Sequence, residues 1–146
     1  MTSGTGLLHH TFDHCGPHKR GSIGERQNGV LISNATGKAL TFALFGLQDR
    51  GRLFIGHATE VYEGQVIGIH SRSNDLTVNC LKGKQLTNMR ASGTDEAQVL
   101  TPPIRMTLEQ ALEFIDNDEL VEITPKAIRI RKKLLTEMDR KRAGRA

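Results

Sequence analysis

The stretch EVYEGQVIGIH, residues 60–70, decides the fold because it contains two apolar strand-forming runs separated by residues suited to a turn. The runs are centred on Val61 and Val66, and Glu63 and Gly64 lie between them. Two further strands are predicted nearby, in GVLIS at residues 29–33 and RLFIG at residues 52–56. The β content is therefore substantial.

Between these strands, the segment KALTFALFGLQDRG at residues 38–51 is ambiguous between strand and helix. We predict a short helix over residues 42–50, because Ala43, Leu44 and Leu47 recur at helical spacing. The fold class expected is α+β, with a mixed, mainly antiparallel β core, a few short helices and a long polar loop.

A second helix is predicted to start near residue 107 and to end at residues 116–118. Thr107 and Gln110 have the spacing of a capping box, in which each side chain accepts a hydrogen bond from the other residue's backbone amide. The apolar residues of this segment recur on one helical face, which we expect to be buried: Leu108, Ala111, Leu112 and Ile115.

The segments LVEIT and AIRIRKKLL, at residues 120–124 and 127–135, predict a hairpin. Ile128 and Ile130 alternate with Arg129 and Arg131, which indicates one buried face and one basic face. The tail after Thr136 is predicted to form a short helix.

Length and composition favour one domain, or one domain with a fragment of another. The 146 residues are 37% hydrophobic, and no apolar run approaches the roughly 18 residues that span a bilayer. No signal peptide is recognisable at the N-terminus. The two cysteines, Cys15 and Cys80, match no disulfide framework, so we expect reduced thiols and a cytoplasmic location.

Charge is distributed unevenly although the net charge is only +4. Residues 106–125 contain six acidic and no basic residues, whereas residues 126–146 contain nine basic and two acidic residues. This asymmetry suggests an anionic partner for the tail, with nucleic acid as the first candidate. The alternative is a solvated charged face, partly neutralised by the acidic block.

The loop from Thr77 to Glu96 is the strongest candidate site, because it is polar and contains few large apolar residues. Its cations could meet phosphates, namely Lys82, Lys84 and Arg90. Its neutral polar residues suit ribose hydroxyls and base edges, namely Asn79, Gln85, Thr87, Asn88 and Ser92. The alternative interpretation is an ordinary polar surface loop.

Other chemistries have weaker support. No GxxxxGK[S/T] phosphate loop is present, so the sequence encodes no nucleotide-hydrolysing site. A crowded set of imidazole and thiol groups matches no familiar zinc spacing, so we assign no metal: His9, His10, His14, Cys15 and His18. Cys80 is expected to be a buried apolar residue, and Asp116, Asp118 and Glu119 are expected to serve capping and turns. No catalytic residue is assigned.

Long strings of the chain closely resemble the C-terminal region of the BipA/TypA family of ribosome-associated translational GTPases. They are RQNGVLISN, ALFGLQDRGRLFIGH, EVYEGQVIGIHSRSNDLTVNCLKGKQLTNMRASGTDEA and PPIRMTLEQALEFI, and together they run through most of the sequence. The resemblance implies that residues 1–19 contain the last strand of a preceding domain like those of elongation factor G, with a linker. It implies that residues 20–146 are the family's C-terminal domain with a basic tail.

The resemblance also implies a role. The site for GTP and Mg would lie upstream of Met1, so this fragment would be non-catalytic and would hold no cofactor. It would bind the ribosome, contacting 23S rRNA and the acceptor end of A-site tRNA through the loop 77–96, in large-subunit assembly and stress-linked translation. The basic hairpin would add RNA contacts through Arg129, Arg131, Lys132 and Lys133.

Two further expectations concern proteins as partners. A strand at residues 5–12, separated from its own sheet, would expose an edge that could pair with another copy of the chain. The alternative function is a protein-interaction module, in which the acidic helix 107–118 and the strand EVYEGQVIGIH hold neighbouring domains or a ribosomal protein.

Overall fold

The structure is a computed structural model that describes residues 9–16, 26–83 and 99–144. Within these ranges the elements, in chain order, are β1 (Val30–Ser33), β2 (Gly37–Lys38), α1 (Thr41–Gln48), β3 (Gly51–Leu53), β4 (Glu60–Val61), β5 (Gln65–His70), β6 (Leu76–Val78), α2 (Leu108–Phe114), β7 (Glu119–Ile123), β8 (Ile128–Lys132) and α3 (Glu137–Ala143). The α+β class is confirmed, as are the helix near residues 42–50, the C-terminal hairpin and the short helix after Thr136.

The strand β5 is the centre of the main sheet, whose order is β6-β1-β5-β8-β7. β1 pairs with one edge of β5, and the other edge is shared between two strands. Val66 lies opposite Ile130 of β8, whereas Gly68 lies opposite Leu53 of β3. All these pairings are antiparallel except β1 with β6, and β2 pairs separately with β4. The predicted mainly antiparallel core is confirmed.

The turn before β5 requires glycine. Gly64 has a φ of 83°, which L residues rarely adopt, and a Cβ atom there would lie 2.6 Å from the Cα of Leu135. The close approach brings the chain after β8 across the start of β5, where the amide of Lys132 donates to the carbonyl of Gly64 at 2.9 Å. This turn therefore fixes how the C-terminal segment crosses the sheet.

The two faces of the sheet carry separate hydrophobic clusters. One contains Leu44 and Leu47 of α1 together with Ile67, Val78 and Cys80. The other contains Ala111 of α2 together with Val30, Ile32, Val66 and Ile130, and Phe54 and Phe114 pack against it. Because side chains alternate along a strand, successive residues of β5 feed opposite clusters. The face that packs against α1 is called the α1 face, and the face that packs against α2 is called the α2 face.

The capping box of α2 is confirmed, but its predicted buried face is wrong at one position. The Thr107 hydroxyl accepts from the Gln110 amide at 3.3 Å, and the Gln110 side chain accepts from the Thr107 amide at 3.0 Å. Ala111 is fully buried, whereas Leu112 is 55% exposed. The helix ends at Phe114, and it rests on Ala111, Phe114 and Ile115 rather than on Leu112.

Two expectations about interaction surfaces have different outcomes. The EVYEGQVIGIH strand cannot offer an edge to a partner along β5, because β5 is paired on both sides and almost entirely buried. Residues 9–16 contain neither strand nor helix. Residues 5–8 lie outside the described residues, so pairing of the segment 5–12 with another copy stays a prediction.

Candidate nucleic-acid interface

The start of the predicted RNA-contacting loop is anchored on the α1 face. Val78 and Cys80 are buried, the amide of Asn34 donates to the carbonyl of Val78, and the amide of Leu40 donates to the carbonyl of Cys80, both at 3.0 Å. The Asn79 side chain accepts from the amide of Leu81 at 2.8 Å. The chain is thus held tightly up to residue 81.

The other end of the loop is held by one side chain of α1. The Gln48 amide nitrogen donates to the carbonyl of Val99 at 3.3 Å, and its oxygen accepts from the amide of Thr101. Leu100 packs against the cluster on the α1 face. Both ends of the loop are therefore fixed next to the same helix, a role for Gln48 that no sequence pattern indicated.

The predicted loop residues are only partly described. Lys82 is exposed just beyond the anchored start, and Asn79 is exposed with its side-chain oxygen committed to the backbone. The remaining predicted residues lie outside the described residues: Lys84, Gln85, Thr87, Asn88, Arg90 and Ser92.

The hairpin separates its cations onto opposite faces. Since Val66 and Ile130 are on the α2 face, Arg131, which lies opposite Gln65, is on the α1 face, and alternation places Arg129 there too. Both are partly exposed, and within the described part of the chain neither forms an ion pair. Glu122 lies opposite Arg129 and accepts from the Tyr62 hydroxyl at 2.6 Å.

Tyr62 shows how enclosed this acidic contact is. Burial, then the hydrogen bond to Glu122 and the charge of its carboxylate, raises the pKa of Tyr62 to about 12. The phenol therefore stays protonated and keeps donating to Glu122. Part of the Glu122 hydrogen-bonding capacity is thereby committed to Tyr62.

Lys132 was predicted to contact RNA, but its side chain is buried. Alternation places it on the α2 face with Ile130, where it is 2% exposed and its ammonium group contacts Asp75 at 2.6 Å, Asp118 at 2.8 Å and Glu119 at 2.9 Å. A phosphate could not reach this ammonium group without displacing those carboxylates. Lys133 is exposed, and its ammonium group donates to the carbonyl of Asn117 at 2.5 Å.

Glu119 completes an ionic cluster in which its own side chain and that of Lys132 are buried, and which we call the Lys132–Glu119 cluster. Its side chain is fully buried and accepts two bonds at 2.8 Å from the guanidinium of Arg26. Arg26 also donates to the carbonyl of Phe114 at 3.2 Å and lies 4.5 Å from the centre of the Phe114 ring. Glu119 and Asp118 thus have structural partners beyond the capping and turn roles expected from the sequence.

The cluster shifts the pKa of each buried member toward the charged form. Burial alone would raise the pKa of Glu119, but bonds from Arg26 and Lys132 and from the Asp116 backbone lower it overall. Burial would lower the pKa of Lys132, but bonds to Asp118, Asp75 and Glu119 raise it. Burial would likewise lower the pKa of Arg26, but the hydrogen bond to Glu119 and the charge of its carboxylate raise it. The charges therefore persist at neutral pH.

The tail uses some of its charge internally. Arg140 donates to the carbonyls of Leu134 and Leu135 at 3.1 and 2.5 Å, and Lys141 pairs with Glu137 at 2.6 Å. Arg142 is exposed. Part of the positive charge of the tail is thus paired within the chain, whereas Arg142 has no ion pair among the described residues.

Cys80 is fully buried, as predicted, and burial raises the pKa of its thiol.

Among the described residues no three His, Cys, Asp or Glu side chains are grouped so as to hold a metal ion, and His18 lies outside them. Within the same residues, no helix has the length and apolar character needed to cross a membrane.

Comparison with known proteins identifies close relatives. The family model described as the TypA/BipA C-terminal domain matches residues 28–137. Three similar proteins carry the name large ribosomal subunit assembly factor BipA. That of Escherichia coli (strain K12) is 77% identical over 146 residues, covering 100% of this chain. Those of Salmonella typhimurium and Haemophilus influenzae are 74% and 73% identical over 145 residues, covering 99% of it. The chain spans 24% of the length of each.

Proposed function

The chain belongs to the TypA/BipA family, and from this membership we propose that it is a non-catalytic, RNA-binding part of a translational GTPase acting in large-ribosomal-subunit assembly. Its relatives are named as assembly factors for that subunit, and the chain corresponds to about a quarter of them. On this proposal it contributes ribosome binding to a longer protein, and the GTP and Mg site belongs to another part of that protein.

The observation that carries the RNA-binding proposal is that the start of the loop shares one sheet face with Arg129 and Arg131, which form no ion pair within the described ranges. The anchored start of the loop, including Val78 and Cys80, packs on the α1 face, and Arg129 and Arg131 lie on that same face. Lys132 and its three carboxylates are on the α2 face. A polyanion approaching the α1 face would therefore meet cations without first meeting the Lys132–Glu119 cluster.

We assign the contacts by chemistry. The phosphate-contacting residues would be Lys82, Lys84, Arg90, Arg129, Arg131 and Lys133. The residues that read ribose and base edges would be Gln85, Thr87, Asn88 and Ser92, with Asn79 restricted by its bond to Leu81. The expected partners are 23S rRNA and the acceptor end of A-site tRNA.

The salt dependence of ribosome binding tests this assignment. The chain is mixed with 70S ribosomes at several salt concentrations, and bound protein is measured after pelleting. Log affinity should fall linearly with log salt by about 0.7 to 0.9 per phosphate neutralised. A flat response would instead favour the protein-interaction alternative, since apolar contacts respond weakly to salt.

A further inference from the structure

Two strands, β3 and β8, pair with the same edge of β5 and form a fork, and a cleft lies between them. β8 pairs with β5 only through Ile130 and Arg131, because β3 occupies the next part of the same edge. The hairpin therefore diverges from β3 toward its turn at residues 124–127. The resulting fork cleft has a volume of about 740 Å³, within the range of roughly 300–1,000 Å³ common for ligand sites.

The lining of the fork cleft combines aliphatic walls with positive charge. Ile123 and Ile128, which are 65% and 38% exposed, line it together with Met106. Arg105, Lys126 and Arg129 also line it, whereas no Asp or Glu does so among the described residues. The cleft therefore suits a ligand that has both apolar groups and negative charge.

The fork also exposes part of a strand edge. Beyond Ile130, the side of β8 that faces β5 has no strand partner within the described residues, so the backbone at Ile128 and Arg129 borders the cleft. An extended peptide can add to such an edge through main-chain hydrogen bonds, with alternate side chains entering pockets. The geometry suits a peptide better than an unpaired nucleotide, because bases stack on aromatic rings and Phe54 is the single aromatic residue among the described residues of the lining.

We propose that the fork cleft binds an extended protein segment in which aliphatic residues alternate with Asp or Glu. The segment adds to the edge of β8 at Ile128 and Arg129. Its aliphatic side chains pack against Ile123, Ile128 and Met106, and its carboxylates meet Arg105 and Lys126. This site lies in the gap between β3 and β8, and its ligand is protein rather than RNA.

A peptide-binding experiment on the 146-residue chain tests the site. The probe is a fluorescently labelled peptide of alternating leucine and aspartate with blocked ends, measured by anisotropy. A version with N-methyl groups on alternate amides retains the side chains but cannot form the strand ladder. The unmodified peptide should bind. The methylated peptide should bind at least about tenfold more weakly.

Substitutions locate the binding. Lys126→Glu and Ile123→Asp, both at exposed positions, should each weaken binding about tenfold. The matched control is Arg72→Glu, an exposed charge reversal outside the cleft. Hydrogen exchange at Ile128 and Arg129 should slow when the peptide binds, and thermal melts should show that each variant remains folded.

Several outcomes would overturn the proposal. These are no binding of the unmodified peptide, equal binding of the methylated peptide, or equal loss with Arg72→Glu. Protection of Ile128 and Arg129 by a single-stranded uridine oligonucleotide in preference to the peptide would assign the cleft to RNA instead.

Discussion

At Lys132 an ammonium group with 2% side-chain exposure lies within 2.9 Å of three carboxylates. Desolvating such a charge is costly, and only close partners offset the cost. The guanidinium of Arg26 donates two parallel hydrogen bonds to the Glu119 carboxylate, and this bidentate geometry is among the strongest for a carboxylate. The cluster joins the segment before β1, the start of β6 and the hairpin, so its members are structural residues.

Removing Glu119 should destabilise the fold strongly. Glu119→Ala removes a carboxylate from the buried Lys132 and from the half-buried Arg26, and we expect the free energy of unfolding to fall by about 3–5 kcal/mol. The control is Glu113→Ala, an exposed carboxylate of α2, which should stay within about 0.5 kcal/mol. Urea unfolding measures both. Equal midpoints for the two variants would show that the Lys132–Glu119 cluster contributes little.

The same cluster predicts a pH dependence. The pKa of Glu119 is lower in the folded state than in the unfolded state, because Arg26 and Lys132 donate to its carboxylate and outweigh the effect of burial. Its stabilising contribution is therefore present above the unfolded pKa and is lost as pH falls through the folded pKa. Unfolding measured between neutral and acidic pH should show this loss, and Glu119→Gln should reduce the slope. An unchanged slope in that variant would contradict the assignment.

The two cysteines should differ in reactivity. Cys15 is exposed, whereas Cys80 is fully buried and has a raised thiol pKa, so little thiolate is available there. Iodoacetamide in native conditions should label Cys15 and leave Cys80 unmodified, as read by peptide mass spectrometry. Labelling of Cys80 should begin only in denaturant. Equal native labelling would place Cys80 outside the core.

At the scale of elements, α2 shows how little of a short helix is buried. Its seven residues include one fully buried side chain, Ala111, and its start is fixed by the capping box. Much of its hold on the sheet comes from Phe114, whose ring meets Phe54 edge-on at 5.5 Å and whose carbonyl accepts from Arg26. The cap and the end of the helix therefore matter more than the exposed middle.

Substitutions along α2 should follow that order. Thr107→Ala removes the cap and should cost about 1 kcal/mol, whereas Thr107→Ser keeps the hydroxyl and should cost less. Leu112→Ala, at an exposed position, should stay within about 0.5 kcal/mol. Thermal and urea unfolding test the series. A loss of several kcal/mol in Leu112→Ala would mean that this face packs against something.

The elements were more predictable from the sequence than their contacts. Alternation around Ile130 predicted the hairpin, and the spacing of Thr107 and Gln110 predicted the cap, because both signals are local. Lys132 was predicted to contact RNA, because its partner Asp75 is distant in sequence and gave no local signal of burial. The link between Arg26 and Glu119 spans 93 residues and the grip of Gln48 on Thr101 spans 53, so neither had a local signal.

At the scale of the whole molecule, the two faces of the main sheet carry different charged groups among the described residues. The α2 face contains the Lys132–Glu119 cluster, and the α1 face contains the anchored loop ends together with Arg129 and Arg131, for which the described part of the chain shows no ion pair. The fork beside β5 adds a cleft with its own charge pattern. On the proposed function, RNA meets the α1 face while the ionic cluster keeps the hairpin in place.

Ribosome pelleting of one triple variant tests the central proposal most directly. The variant replaces Lys82, Lys84 and Arg90 with Ala, and Glu119→Ala serves as the comparison that affects stability. The account predicts that the triple variant melts like the parent chain but loses most pelleting with 70S ribosomes and has a salt slope lower by roughly one per lost phosphate contact. A triple variant that melts normally and pellets like the parent, or one that melts early, would contradict the RNA-binding role of the loop.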